Sequence, residues 1–235
     1  MTGANTGIGL AIAERLVADG YALGFAVRKP EEETVRRLAE HGPVQPVIGD
    51  LSDPEVPARL VSETVDAFGR LDVLVNNAGV TLSKPALELT ADDFDTIFAV
   101  DVRGAFLASQ AAARAMGEEG GVIVNITSVH EYVPRPGFAL YAPAKAALGM
   151  LTRALAIELA PRVRVVSVAP GAIATERNVE AESLRPEIPL QRTGSPEEVA
   201  ALVAWVVSDE AAYATGASFL LDGGLVQQVF DHPAG

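Results

Sequence analysis

Cysteine is absent from the 235 residues of this chain. That excludes disulfides, thiolate metal sites and cysteine nucleophiles, and it fits a cytoplasmic protein. Histidine is scarce: His41, His130 and His232 lie far apart, and no acidic cluster has ligand spacing, so no metal site is expected. No apolar run approaches the ~18 residues of a membrane span, and the first residues lack the basic-then-apolar pattern of a secretion signal. Cations are outnumbered, 18 against 31 acidic residues, for a net charge of −13. They do not cluster, which argues against a nucleic-acid partner, because such binding rests on phosphate neutralisation. The acidic balance itself reads as solubility.

What is present is an alternation. Apolar runs at 21–27, 44–48, 71–75, 121–127, 163–169 and 217–221 read as strands, and helical patterns occupy 8–19, 31–40, 54–68, 91–116, 139–159 and 196–208. Gly20, Gly42 and Gly69 stand just past three of these helices, where a left-handed residue is wanted. Runs such as LDVLV and GVIVNI are apolar throughout, as strands buried on both faces are. The alternation therefore predicts an α/β fold with one doubly wound parallel sheet and helices on both faces. No repeat or linker divides residues 1–235, so one domain is expected. The most loop-like stretch, 175–195, carries Pro186 and Pro189 and is expected to cover substrate as a lid.

The chain opens on a glycine-rich turn, Thr2-Gly3-Ala4-Asn5-Thr6-Gly7-Ile8-Gly9. Glycines let backbone approach a pyrophosphate, and the helix that follows offers free N–H groups and a positive dipole end. A strand of about 5–6 residues should precede such a turn. The expectation is that the numbered sequence starts late and that Met1 is the last residue of that strand. The second strand ends at Val27-Arg28-Lys29, where a dinucleotide site selective for NAD places a carboxylate for the ribose 2′-hydroxyl. Arg28 can instead pair bidentately with a 2′-phosphate, which predicts NADP as the preferred cofactor with NAD possible; the alternative is that both cations are merely solvated. Asp50-Leu51 and Asn76-Asn77-Ala78-Gly79 follow the next two strands, at the carboxyl ends where such sheets bind ligands. The latter also has the composition of an ordinary turn.

Tyr141 and Lys145 are one helical turn apart on one face. A free tyrosine titrates near about 10, and a neighbouring ammonium favours its ionised form. Pro143 fits only the first turn of a helix, which places Tyr141 at the helix start. Ser128, at the end of a strand, can hydrogen-bond a substrate oxygen and orient it.

Thr2-Gly3, Gly7-Ile8-Gly9, Asn76 to Gly79, Ser128, Tyr141 with Lys145, Pro170-Gly171 with Thr175, and Leu221-Asp222-Gly223-Gly224 together resemble the short-chain dehydrogenase/reductase family. The resemblance runs from residue 2 to about 224. It implies a Rossmann-type fold, a homotetramer, and hydride transfer between NAD(P) and a secondary alcohol or carbonyl. By that resemblance Tyr141 is the acid/base, Lys145 binds the nicotinamide ribose and lowers the tyrosine pKa, Ser128 polarises the carbonyl, and Pro170, Gly171, Ile173 and Thr175 hold the nicotinamide end. The chain departs from the pattern at Asp101, where the family has Asn. A carboxylate there stabilises the lysine ammonium and opposes a tyrosinate, so alcohol oxidation is expected to run at more alkaline pH than in an Asp101→Asn variant.

The segment Thr127-Ser128-Val129-His130-Glu131-Tyr132-Val133-Pro134, with Ala204-Trp205 and 210–216, is similar to bacterial glucose 1-dehydrogenases. It places His130 at the substrate mouth, where imidazole can bond a sugar hydroxyl; the alternative is that His130 and Glu131 cap the loop or pair across a subunit contact. Thr81 stands where those enzymes carry an acidic residue, which leaves room for a less polar carbonyl compound. Two other readings are a 3-oxoacyl-[acyl-carrier-protein] reductase and a general carbonyl reductase. Glu118 and Glu119 would repel the acidic carrier. A non-catalytic NADP-binding protein would not need the Tyr141–Lys145 pair.

Overall fold

The computed structural model describes residues 1–29, 32–176, 178 and 181–227. The alternation read from the sequence folds as parallel strands separated by helices. The strands are β1 (Leu23–Val27), β2 (Val44–Ile48), β3 (Val73–Asn76), β4 (Gly121–Ile126), β5 (Val163–Pro170) and β6 (Ser218–Leu221). The helices are α1 (Gly7–Ala18), α2 (Glu32–Ala39), α3 (Val56–Phe68), α4 (Ala91–Phe98), α5 (Ala105–Met116), α6 (Tyr141–Leu159) and α7 (Pro196–Val207). The expected start of α2 at residue 31 and His232 lie outside the described residues.

Strand order is β2-β1 in one part and β3-β4-β5-β6 in the other, every pair parallel. Thr2 bridges the two parts, pairing with Ala26 on β1 and with Asn76 on β3. Met1 is the expected last residue of the first strand; the pairing in fact runs one residue further, to Thr2. Ahead of them a cavity of about 290 Å³ lies between the edges of β1 and β3, lined by Leu16, Leu23, Val61, Phe68, Val73 and Val75 among others. The Met1 amino group is buried in it and donates to the Gly24 carbonyl at 2.5 Å, and burial lowers its pKa to about 5.

Both faces of the sheet are covered, which is why its strands are apolar throughout. On one side α1 and α7 pack on each other and over Phe25, Val124, Val166 and Val168. On the other, α3, α5 and α6 cover Leu74, Ile123 and Val165. Gly20 and Gly69 take φ of 95° and 79° past α1 and α3, as expected of left-handed helix ends. Gly42 does not: α2 stops three residues earlier, and a Cβ at Gly42 would stand 2.9 Å from Val17 Cγ1. Close packing, not a turn, requires that glycine.

The run at 91–116 is not one helix. A π-helical turn, Ala99–Gly104, separates α4 from α5, and it turns Asp101 into the interior, where 1% of the residue is exposed. Such single-turn bulges occur inside α-helices, and nothing ahead of Asp101 marks this one in the sequence. Among the described residues no helix is long and apolar enough to cross a membrane.

Candidate active site

Because all strands are parallel, their carboxyl ends fall along one edge, and the sequence motifs gather there. Gly3 and Gly7 take φ of 71° and 56°, and a Cβ at Gly9 would run into the Gly3 carbonyl. The turn therefore exists only with glycine at these places. It delivers the chain to the start of α1, where Thr6 is extended and gives no side-chain cap, leaving the first-turn N–H groups pointing out. Asn5 Nδ2 donates to the Lys29 carbonyl at 2.8 Å, tying the turn to the end of β1, while Asn5 Oδ1 is buried without a partner. Ile8 packs partly buried on the core.

Thr2 fixes the second loop: its Oγ1 accepts from the N–H groups of Asn77 and Ala78, each at 3.0 Å, and Asn77 Nδ2 donates to Gly3 O at 2.8 Å. Thr175 comes over the same turn, because a Cβ at Gly7 would stand 3.3 Å from Thr175 Cγ2. Thr175 Oγ1 accepts from Asn178 N–H at 3.1 Å, and Ile173 bridges to Gly194. Pro170 ends β5, and Gly171 lies so close to Asp222 that a Cβ would stand 2.7 Å from its Cβ. Arg28 is exposed just past β1. Asp50 Oδ1 accepts from Ser52 N–H at 2.9 Å; that bond leads, with Arg28 contributing, in lowering the Asp50 pKa. Leu51 is buried beneath it. Three cradling glycines, an uncapped helix start and an orphan acceptor in Asn5 fit a dinucleotide phosphate and its ribose.

Helix α6 begins at Tyr141, with Pro143 in its first turn. One turn on, Lys145 is 4% exposed, and its Nζ stands 5.6 Å from the centre of the Tyr141 ring and donates to Ile126 O at 3.3 Å. Asp101 Oδ2 is 3.1 Å from the same Nζ, an ion pair in distance though not aligned as a hydrogen bond. Its Oδ1 accepts from Val80 N–H at 2.7 Å. Burial alone would lower the Lys145 pKa, but Asp101 and Tyr141 more than offset it and the net direction is up. Gly79 lets the backbone lie on this pair: a Cβ there would be 2.8 Å from Asp101 Oδ2 and 3.1 Å from Lys145 Nζ.

Ser128, buried two residues past β4, accepts from His130 N–H at 3.3 Å, which starts the 3-10 turn Val129–Glu131. The His130 ring stacks on Phe138 at 5.0 Å and lies edge-on to Tyr141 at 5.8 Å. Glu131 turns inward and joins Arg153 on α6 and Ser218 on β6, at 3.2 and 3.0 Å.

Sequence reasoning missed Phe138 and the partners of Glu131. It also missed Asn125, which accepts from Asn76 Nδ2 at 2.9 Å across the paired strands and donates to Thr152 at 2.9 Å. A polar residue inside the apolar run GVIVNI was the available signal. The stretch 175–195 is partly described and holds a 3-10 segment, Ala181–Glu187, over a small apolar cluster of Ala172, Ala181 and Ile188. Residues 177, 179 and 180 of the expected lid lie outside the described residues.

A family profile described as enoyl-(acyl carrier protein) reductase matches residues 3–226. An acetoin dehydrogenase structure from Enterobacter cloacae is 43% identical with a TM-score of 0.91, covering 99% of this chain and 96% of that one. The chain belongs to the short-chain dehydrogenase/reductase family. A short-chain dehydrogenase from Burkholderia cenocepacia, solved in complex with NADP, is 39% identical with a TM-score of 0.90 over 96% of each chain. The glucose 1-dehydrogenase 2 of Bacillus subtilis is 37% identical over 96% of this chain and 93% of its own length. The 3-oxoacyl-[acyl-carrier-protein] reductase of Synechocystis is 38% identical over 96% and 95%. Glucose dehydrogenases are thus one among several named neighbours. The chain is an α/β oxidoreductase of this family with a Rossmann-like fold.

Proposed function

We propose that this chain interconverts a small secondary alcohol and its carbonyl compound with NADP as preferred cofactor. The observation that carries the reading is the grouping of Ser128, Tyr141 and the buried Lys145–Asp101 pair beside the glycine cradle. When bound there, the nicotinamide supplies or takes up the hydride. Tyr141 gives its proton to the substrate oxygen in reduction and takes it back in oxidation. Ser128 uses its Oγ to accept from His130 N–H, so its hydrogen is free to bond the same substrate oxygen. Lys145 holds positive charge beneath the phenol and the ribose end, with Asp101 as positioning residue.

The glycine turn, Asn77 to Gly79, and Pro170 to Thr175 hold the dinucleotide, and Arg28 with Asp50 and Leu51 border its adenosine end. Arg28 supports NADP because a guanidinium matches a 2′-phosphate bidentately. The named neighbours support two substrate types, a sugar such as glucose and a small hydroxy ketone. An acyl-carrier substrate is opposed by exposed Glu118 and Glu119. We include in the reading one domain, a lid at 175–195 and a homotetramer. Phe106 on α5 with Met150 and Ile157 on α6, all exposed in the single chain, support self-association; light scattering checks it by a tetramer's mass.

The test is turnover of purified protein with NADP or NAD against glucose, hydroxy ketones and simple secondary alcohols, followed by the absorbance of reduced nicotinamide. Saturable turnover with higher kcat/KM for NADP is expected. Silence across the panel with both cofactors overturns the reading. Turnover that favours NAD overturns only the role of Arg28.

A further inference from the structure

We propose that Glu131 is a positioning residue for the reaction: it locks the turn that carries Ser128 onto the helix that carries Tyr141 and Lys145, and so sets the serine hydroxyl against the phenol. The inference rests on the reading that Ser128 and Tyr141 hold the reacting oxygen. Tyr141, Lys145, Gly149 and Arg153 succeed one another along α6 at intervals of about one turn, on one face. The first two belong to the proton-transfer site, and the next two meet Glu131. The Glu131 side chain is 2% exposed. Its Oε1 accepts from Arg153 Nη1 at 3.2 Å, and its Oε2 accepts from Ser218 Oγ at 3.0 Å. The carboxyl group lies against the backbone of Gly149, where any Cβ would run into Oε1, Cδ and Cγ.

The other end of Glu131 reaches Ser128. Glu131 N–H donates to the Ser128 carbonyl at 2.8 Å, and the same turn gives His130 N–H to Ser128 Oγ. Up to Thr127 the chain is held by the sheet, since Thr127 N–H donates to Val168 O on β5 at 2.8 Å. Past it the chain leaves the ladder, and Glu131 takes over the anchoring. The sheet side of the anchor is also built. Ser218 shares its register with Ser167, and Ser167 with Asn125. Asn125 Nδ2 donates to Thr152 Oγ1 on α6 at 2.9 Å. Neighbouring residues of α6 are therefore tied to one polar row of the sheet, Thr152 directly and Arg153 through Glu131.

Stability does not account for this arrangement. Burying a carboxylate costs desolvation, and well-packed apolar residues often serve a fold as well or better. A glycine inside a helix costs stability relative to alanine. Both costs fall at the point where α6 meets the Ser128 turn, one helical turn beyond Lys145. What the pair supplies is orientation. A reacting group displaced by about 1 Å can lose about 10²-fold in rate, and a hydroxyl on a turn outside the sheet needs a packed, hydrogen-bonded support to hold its place.

The experiment measures kcat, and NADP dissociation by fluorescence, on whichever alcohol or carbonyl compound wild type turns over fastest. The variants are Glu131→Ala, Glu131→Gln, Ser128→Ala and the double variant Glu131→Ala/Ser128→Ala. Gln keeps the length of Glu; its oxygen can accept from Arg153 while its amide donates to Ser218. Glu131→Ala should lower kcat about 10- to 100-fold and leave NADP dissociation within about twofold. Glu131→Gln should recover kcat to within about fivefold of wild type. In the Ser128→Ala background, Glu131→Ala should cost less than about threefold, because the group it positions is gone. An unchanged kcat in Glu131→Ala, a loss of NADP binding that matches the loss of rate, Gln as poor as Ala, or losses that multiply in the double variant each overturn the proposal. A Ser128→Ala rate too slow to follow leaves the decision to Glu131→Gln. If Glu131→Ala fails to fold, Ser218→Ala, which removes one donor to the carboxylate, takes its place in the same cycle and is judged by the same non-additivity. Silence of wild type on every substrate, or a wild-type kcat in Ser128→Ala, overturns the proposed function, and the inference falls with it.

Discussion

At the scale of single residues, the site is a contest over one proton and one charge. Tyr141→Phe removes the proton and leaves the ring, so kcat should fall about 10²- to 10⁴-fold while NADP binding, read by fluorescence, is retained. Equal loss of binding would mean Tyr141 serves the cofactor and not the proton. Asp101 acts differently, through Lys145. Both are almost fully buried at 3.1 Å. Asp101→Asn leaves an ammonium unpaired in the interior, and breaking such a pair costs about 3–5 kcal/mol. Because the folded chain holds the Lys145 proton above its ordinary value of 10.5, it binds that proton more tightly than the unfolded chain. The pair's stabilisation is therefore complete below the ordinary lysine value and fades as pH climbs through the raised folded one. Urea titrations from neutral to strongly alkaline pH should show this fading in wild type and not in Asp101→Asn. The same carboxylate opposes negative charge on the phenol oxygen, so the rising limb of alcohol oxidation should move to lower pH in the variant. Coincident pH–rate profiles would leave Asp101 a purely structural residue.

At the scale of elements, local chemistry decided what could be read in advance. The cradle was legible because Gly3, Gly7 and Gly9 each answer a local steric demand. Gly9→Ala forces a methyl into the Gly3 carbonyl, so it should abolish NADP binding and lower stability by about 1–3 kcal/mol; unchanged binding by calorimetry would remove the cradle from the cofactor site. The start of α7 was legible for a similar reason. Ser195 and Glu198 form a reciprocal cap, and Ser195→Ala should cost about 1 kcal/mol in urea denaturation. The π-helical turn was not legible, because FAVDVRG carries no glycine or proline that breaks a helix ahead of Asp101; that its carboxylate lies beside Lys145 was read only through the family resemblance. Glu131 was ambiguous for a related reason. Its partners Arg153 and Ser218 lie 22 and 87 residues away, and no local pattern announces a contact of that range. In its loop the cap is Ser128, not His130 or Glu131, and Glu131 pairs within this chain.

At the scale of the whole molecule, the two parts of the sheet join at Thr2 and its neighbours. Thr2 N–H donates to Val75 O, Met1 O accepts from Ala26 N–H, and Gly3 N–H donates to Ala26 O, at 2.9, 2.9 and 3.0 Å. These bonds run the ladder on both sides for a residue or two. Beyond them β1 and β3 face each other across an apolar slot, and exposed strand edges are costly when nothing pairs with them. The slot also explains why the Met1 amino group is uncomfortable: an ionisable amine, which burial discharges, sits where a peptide N–H would make the same bond to Gly24 O with no charge to lose. Residues joined ahead of Met1 would continue in the direction that Met1 and Thr2 already take, between Ala22 to Gly24 on one side and Leu71 to Val73 on the other. Five apolar β-branched residues fused there should therefore raise Tm by roughly 5 °C or more, at about 2–4 °C per kcal/mol for a chain of this size, and sharpen the unfolding transition. A Gly-Ser extension of equal length, which offers the same peptide groups but no apolar side chains for the slot, should gain much less. Equal effects of the two extensions would mean that the slot closes by relaxation of β1 and β3, and that Thr2 alone suffices to hold the two parts of the sheet as one.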